Sequence, residues 1–205
     1  MLYAVELYFD KETEEKIMRL PQAIAEKSLS TRYLEWKTRP HITLGLFNNI
    51  DLEKCDKLLK EFTKEVKSLP AHLSSIGIFN NSRCVFLSPV VTRDLLELHQ
   101  NFHDTFSFCD HSGYEYYLPD SWVPHCSIVL ANSNDDNALY ASVKHVIENY
   151  KVLHGFFCEL SFVEITMPVK EHTAHKLQEY VGSFAYKSPQ DFSIKPSVAK
   201  VKGRL

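Results

Sequence analysis

Glycine is scarce in this chain, with 6 residues in 205, and no two of them form a Gly-x-Gly cluster. That argues against a glycine-rich loop cradling a nucleoside triphosphate. Long apolar runs are also missing: none approaches the roughly 18 residues that a membrane-spanning helix needs, so no membrane partner is expected. The opening Met1-Leu2-Tyr3-Ala4 leads into Glu6 and Asp10 rather than a basic signal region, and the expected location is cytoplasmic. The 5 cysteines are odd in number and lack close pairs, which fits reduced thiols better than a disulfide framework. No strong charge of one sign is present either. The net charge is −3, but residues 187–205 hold Lys187, Lys195, Lys200, Lys202 and Arg204 against Asp191 alone, leaving −7 on residues 1–186. Non-specific nucleic-acid affinity comes mostly from basic side chains neutralising phosphates, so no extended nucleic-acid surface is expected. A small nucleotide or an RNA 3′ end, held by a monomer, remains the expected kind of partner.

What the chain does have is a repeat. Pro40-His41-Ile42-Thr43-Leu44 and Pro124-His125-Cys126-Ser127-Ile128 share one pattern, 84 positions apart. In an extended strand residues i and i+2 face the same side, so His41 and Thr43 point together, as do His125 and Ser127. Two other His-x-Ser/Thr strings exist, His72-Leu73-Ser74 and His103-Asp104-Thr105. Neither follows a proline, and His103 lies in a segment of helical periodicity, where i and i+2 diverge. The full pattern occurring twice by chance is on the order of one in a thousand. Two imidazoles and two hydroxyls converging on one cleft suit a phosphodiester. The rings exchange protons near neutral pH, and the hydroxyls hydrogen-bond phosphoryl oxygens.

The surrounding order is regular. Alternation predicts a strand over 2–9, then a helix over 11–27 that Pro21 kinks or divides. A polar stretch leads to the first motif strand, and a strongly amphipathic helix spans 51–68. Strands over 72–79 and 83–88 are joined by a turn at Asn80-Asn81-Ser82, followed by a helix over 92–106 and a tyrosine-rich loop. After the second motif strand come a helix over 134–150, a strand over 155–169 and a last strand over 176–186. The unit of helix, motif strand, helix and paired strands thus occurs twice. Residues 1–186 read as one domain and 187–205 as a flexible basic tail.

With these motifs, the opening strand and the strand Arg83-Cys84-Val85-Phe86-Leu87, the chain resembles the two-histidine phosphoesterase superfamily. More narrowly it resembles the branch of 2′-5′ RNA ligases and 2′,3′-cyclic phosphodiesterases. The resemblance implies an α+β, bilobal, pseudo-twofold fold, with two mainly antiparallel sheets flanking a central cleft and helices outside. It implies cofactor-free, metal-independent hydrolysis of a cyclic phosphodiester to a 2′-phosphate, with His41 and His125 catalytic and Thr43 and Ser127 on the phosphate. In that scheme His125 is the base and His41 the acid. The alternatives are 2′-5′ RNA ligation and a non-catalytic module that binds RNA ends or nucleotides. One departure stands out: some members follow the second motif with a basic residue, where this chain has Val129-Leu130-Ala131-Asn132.

Further substrate contacts are expected from Trp122 and Tyr117, which can stack on a base, and from Arg39 and Arg83, which can approach a phosphate. His99-His103 and His172-His175 have chelating spacings but no acidic or cysteine partners at recognisable distances, so no metal is expected.

Overall fold

A computed structural model describes residues 1–131 and 135–180. Its first strand, β1 (Leu2–Phe9), is buried at every residue but Leu2, so both of its faces are covered. β2 (His41–Asn48) pairs with it on one side and β6 (Leu153–Glu164) on the other, both antiparallel. Helix α1 (Lys11–Glu26) begins where Asp10 Oδ1 accepts the Thr13 N–H at 3.0 Å. The same carboxylate accepts the Phe156 N–H through Oδ2 at 2.7 Å, so one cap residue both starts the helix and ties it to β6. The helix is continuous through Pro21 and is not divided there. The proline ring joins Ile17, Leu20 and Ile24 on the buried face, which offsets the missing N–H.

α2 (Arg32–Trp36) lies in the stretch expected to be an irregular polar connection; five residues are too few to display a helical period. α3 (Leu52–Glu65), β3 (Leu69–Phe79), β4 (Cys84–Pro89) and α4 (Arg93–Thr105) follow close to expectation. A single 3₁₀ turn over Glu115–Tyr117 interrupts the tyrosine-rich loop before β5 (Cys126–Val129). α5 (Asp136–Asn149) is capped by Asp135, and the chain returns through β6 to the short strands β7 (Lys170–Glu171) and β8 (His175–Lys176). Only the start of the last expected strand falls among the described residues, and the basic tail lies outside them.

The strand order is β2-β1-β6-β3-β4-β5, with β7 and β8 added on β6. Exchanging β1 with β4, β2 with β5 and β3 with β6 turns this order into its own reverse, the signature of a duplicated unit. The α+β class and the antiparallel pairing are those expected. The two expected sheets are the halves of one, because β6 is long enough to serve both. Its residues from Leu153 to Phe157 pair with β3, and those from Phe157 to Glu164 pair with β1. The motif strands β2 and β5 therefore stand at opposite ends of the order, yet they pack beside each other without sharing backbone hydrogen bonds. The sheet curls until its ends nearly meet.

The back of β2 is held by aromatic packing. Phe47, Phe102, Phe106 and Phe162 pack with ring centroids 5.0–6.2 Å apart, joining α4 to β2 and β6. No described helix is long and apolar enough to cross a membrane.

Candidate active site

The two motifs are set in matching registers. On the first half, Leu7 pairs with Ile42 and Glu6 with Thr43, and a bulge then brings Val5 opposite Gly45. On the second half, Leu87 pairs with Cys126 and Phe86 with Ser127, and a bulge brings Val85 opposite Val129. A bulge twists a strand locally and re-aims its side chains, so the same device acts at the same place in both copies.

Each histidine is oriented by its own backbone. His41 Nδ1 donates to the Arg39 carbonyl at 2.7 Å, and His125 Nδ1 donates to the Val123 carbonyl at 2.8 Å. A carbonyl only accepts, so Nδ1 carries the hydrogen in both rings and Nε2 is left for chemistry. The proline between carbonyl and imidazole, Pro40 or Pro124, fixes φ and stiffens this loop. The repeated proline thus has a physical purpose in the motif.

Both imidazoles line one cleft of about 220 Å³, together with Thr43, Ser127, Tyr117 and Glu6. A cavity of about 760 Å³ adjoins it beyond His125, walled by Phe79, Asn80, Tyr116 and Trp122. Tyr117, His125 and Ser127 border both spaces. Among the described residues, neither space is lined by lysine or arginine.

The hydroxyls are poised. The Cys84 thiol donates to Ser127 Oγ at 3.2 Å, and burial pushes that thiol up, so it stays protonated. The serine hydrogen is then available to a ligand. Burial pushes the Tyr117 phenol up, and the nearby Thr43 hydroxyl offsets part of this. Burial lowers His125 below the usual histidine range; the Val123 carbonyl offsets part of this, and His41 lowers it further.

The structure gathers some expected site residues and not others. His41, Thr43, His125, Ser127 and Tyr117 meet at the cleft. Trp122 walls the larger cavity, but one face of its indole is stacked on His99 at 3.8 Å, and its Nε1 donates to the Thr43 carbonyl at 3.0 Å. Arg39 does not line the cleft. Its guanidinium binds Glu14 at 2.7 Å and Glu159 and Glu171 at 3.0 Å, and it lies 4.0 Å over the Tyr8 ring. Arg83 also lies away from the cleft, paired with Asp136 from a left-handed backbone position at φ 54°. His99 and His103 aim Nε2 at the Leu44 carbonyl, each at 3.0 Å, behind β2.

Glu6 was not among the expected site residues. It is 2% exposed, its Oε1 lies 3.3 Å from His41 Nε2, and its Oε2 accepts the Tyr8 hydroxyl at 2.8 Å. The available signal was an acid in the middle of the apolar run Leu2–Phe9, where a strand buried on both faces has no solvent-facing position for it.

A family model described as the 2'-5' RNA ligase superfamily matches residues 13–166. A search of curated proteins returned no match. Among solved structures, apo LigT of E. coli is 14% identical with a TM-score of 0.56, covering 86% of this chain and 97% of LigT. TT0787 of Thermus thermophilus is 15% identical with a TM-score of 0.54, covering 87% of this chain and 99% of TT0787. At these identities the likeness is one of fold.

Proposed function

The chain belongs to the 2'-5' RNA ligase superfamily, and we propose that it hydrolyses a cyclic phosphodiester using His41 and His125 as an acid–base pair. The substrate is a 2′,3′-cyclic nucleotide or the 2′,3′-cyclic phosphate end of an RNA, and the product is a 2′-phosphate. The observation that carries this reading is the shared cleft: two imidazoles, each with Nδ1 spent on a backbone carbonyl, flanked by the Thr43 and Ser127 hydroxyls.

Water attacks phosphorus, one histidine takes its proton, and the bond to the 3′-oxygen breaks as the other histidine protonates that oxygen. Each transfer is worth about 10²–10⁴ in rate. The hydroxyls donate to the non-bridging oxygens, where charge accumulates in the transition state. The aromatic cavity beside His125 has room for a nucleoside, which supports a small nucleotide or a chain end as substrate.

Hydrolysis of nucleoside 2′,3′-cyclic monophosphates tests this reading. His41→Ala and His125→Ala are each expected to lower kcat at least about 100-fold while melting near the wild-type temperature. Full activity in either variant rules it out.

A further inference from the structure

The two halves of the site match in register and in bulge, and they part company at one side chain. β1 places Glu6 opposite Thr43, whereas β4 places Phe86 opposite Ser127. Both side chains are buried, at 2% and 7% exposure. The surroundings of the two imidazoles differ accordingly. His41 Nε2 has a carboxylate oxygen at 3.3 Å. His125 is instead met by the Phe79 and Phe86 rings, with centroids 4.7 and 5.3 Å away and planes steeply inclined. Gly77 opposite Phe86 makes this possible: a Cβ there would stand 2.2 Å from the Phe86 ring.

A symmetric pair of histidines has no built-in direction, since either ring can be the one that carries the proton. We propose that Glu6 is a positioning residue that shares one proton with His41 Nε2, loading His41 as the proton donor and leaving His125 as the acceptor. This rests on the acid–base reading given above.

Tyr8 donates to Oε2 and so leaves Oε1 as the oxygen that faces the ring. The shared proton can be written as carboxylate and imidazolium or as carboxylic acid and imidazole. Both forms place it on the His41 side of the cleft. Burial pushes the Glu6 carboxyl up. His41 and the Tyr8 hydroxyl pull it down, Glu171 on β7 raises it, and Arg39 lowers it. From β6 the facing residue is the uncharged Ser161. On the other side, burial among phenyl rings favours the neutral His125 that a base requires.

The contact also permits turnover. At 3.3 Å it is longer than the 2.7–2.9 Å of a strong charge-assisted hydrogen bond, so a substrate oxygen can compete for Nε2–H. In the reaction the water proton passes to His125 Nε2, and the His41 Nε2 proton passes to the leaving 3′-oxygen. Exchange with solvent then resets both rings.

The test is an NMR titration of the histidine rings in the ligand-free wild-type protein and in Glu6→Gln, with a pH profile of kcat/KM on a nucleoside 2′,3′-cyclic monophosphate. As pH rises, His125 is expected to lose its proton before His41 in the wild type. Glu6→Gln should narrow that gap and draw in the alkaline limb of the rate profile, costing about tenfold more activity at pH 8 than at pH 6. Glu6→Asp should recover part of the loss. The amide of Glu6→Gln keeps an acceptor for Tyr8, and the wild-type order alone is decisive if that variant does not fold. The proposal is overturned if His41 deprotonates first, or if Glu6→Gln leaves the order and the gap unchanged. Absence of turnover in the wild type would sink the hydrolase reading instead, and it would not alter the titration order.

Discussion

Ser127 and Thr43 hold their hydroxyls in different ways, and that difference is measurable. Ser127 accepts from Cys84 and keeps its own hydrogen for a ligand, whereas Thr43 has the Tyr117 phenol as a neighbour in the cleft. Removing a preorganised donor to a transition-state oxygen costs about 10²–10³ in kcat. Ser127→Ala is therefore expected to lose about that much kcat with little change in KM. Thr43→Ala should lose less, because the Tyr117 hydroxyl lines the same cleft and donates in its place. Steady-state kinetics on a cyclic nucleotide decides it, and a larger loss for Thr43→Ala would contradict the assignment. At this scale the motif residues were readable because their spacing alone decides which way they face. Arg39 was not, since Glu14, Glu159 and Glu171 come from three remote parts of the chain and only the folded sheet collects them around one guanidinium. Glu6 was visible only as an oddity, an acid amid apolar neighbours, with nothing local to say that its partner is His41.

Among the elements, α4 contributes more than an apolar face. His99 and His103 are buried under β2 and both point at the Leu44 carbonyl. Burial lowers His99 to about 4, so it stays neutral in the folded protein well below the usual histidine range, and burial lowers His103 as well. An unfolded chain would protonate them near pH 6.5. Between about pH 6.5 and 4 the unfolded state therefore binds more protons, and stability falls as pH falls through that window. Urea unfolding at pH 7.5 and 5.0 should show a midpoint clearly lower at pH 5.0, by roughly 1–3 kcal/mol in stability. His99→Gln should flatten that dependence. An equal pH response in wild type and variant would refute the link. The amphipathic helices α3 and α4 were legible because a full apolar stripe repeats over several turns. α2 was not, being shorter than two turns.

For the whole molecule, charge placement makes a separate prediction. The body carries −7, and no described lysine or arginine lines either space at the site. An RNA ending in a cyclic phosphate should therefore gain little affinity over a cyclic mononucleotide. The affinity should also change little with salt, far short of the slope of about −0.7 per neutralised phosphate that single strands give. A steep salt dependence of KM for the RNA would show that basic residues outside these two spaces engage it. The duplicated order of elements was legible in the sequence and led to the two facing motifs. The joining of the halves was not, because a strand that changes partners midway, as β6 does at Phe157, reads along the chain as a single alternating segment.

The curl of the sheet has one more consequence. An open sheet ends in two strands with unsatisfied backbone groups, and such borders invite stacking between molecules. Here both borders, β2 and β5, are turned toward each other across a gap too narrow for another chain's strand but wide enough for a small anion. The same bend that brings two distant imidazoles to one cleft keeps the protein's stickiest margins out of reach of its neighbours. Flattening the sheet would part the two imidazoles and expose both borders together.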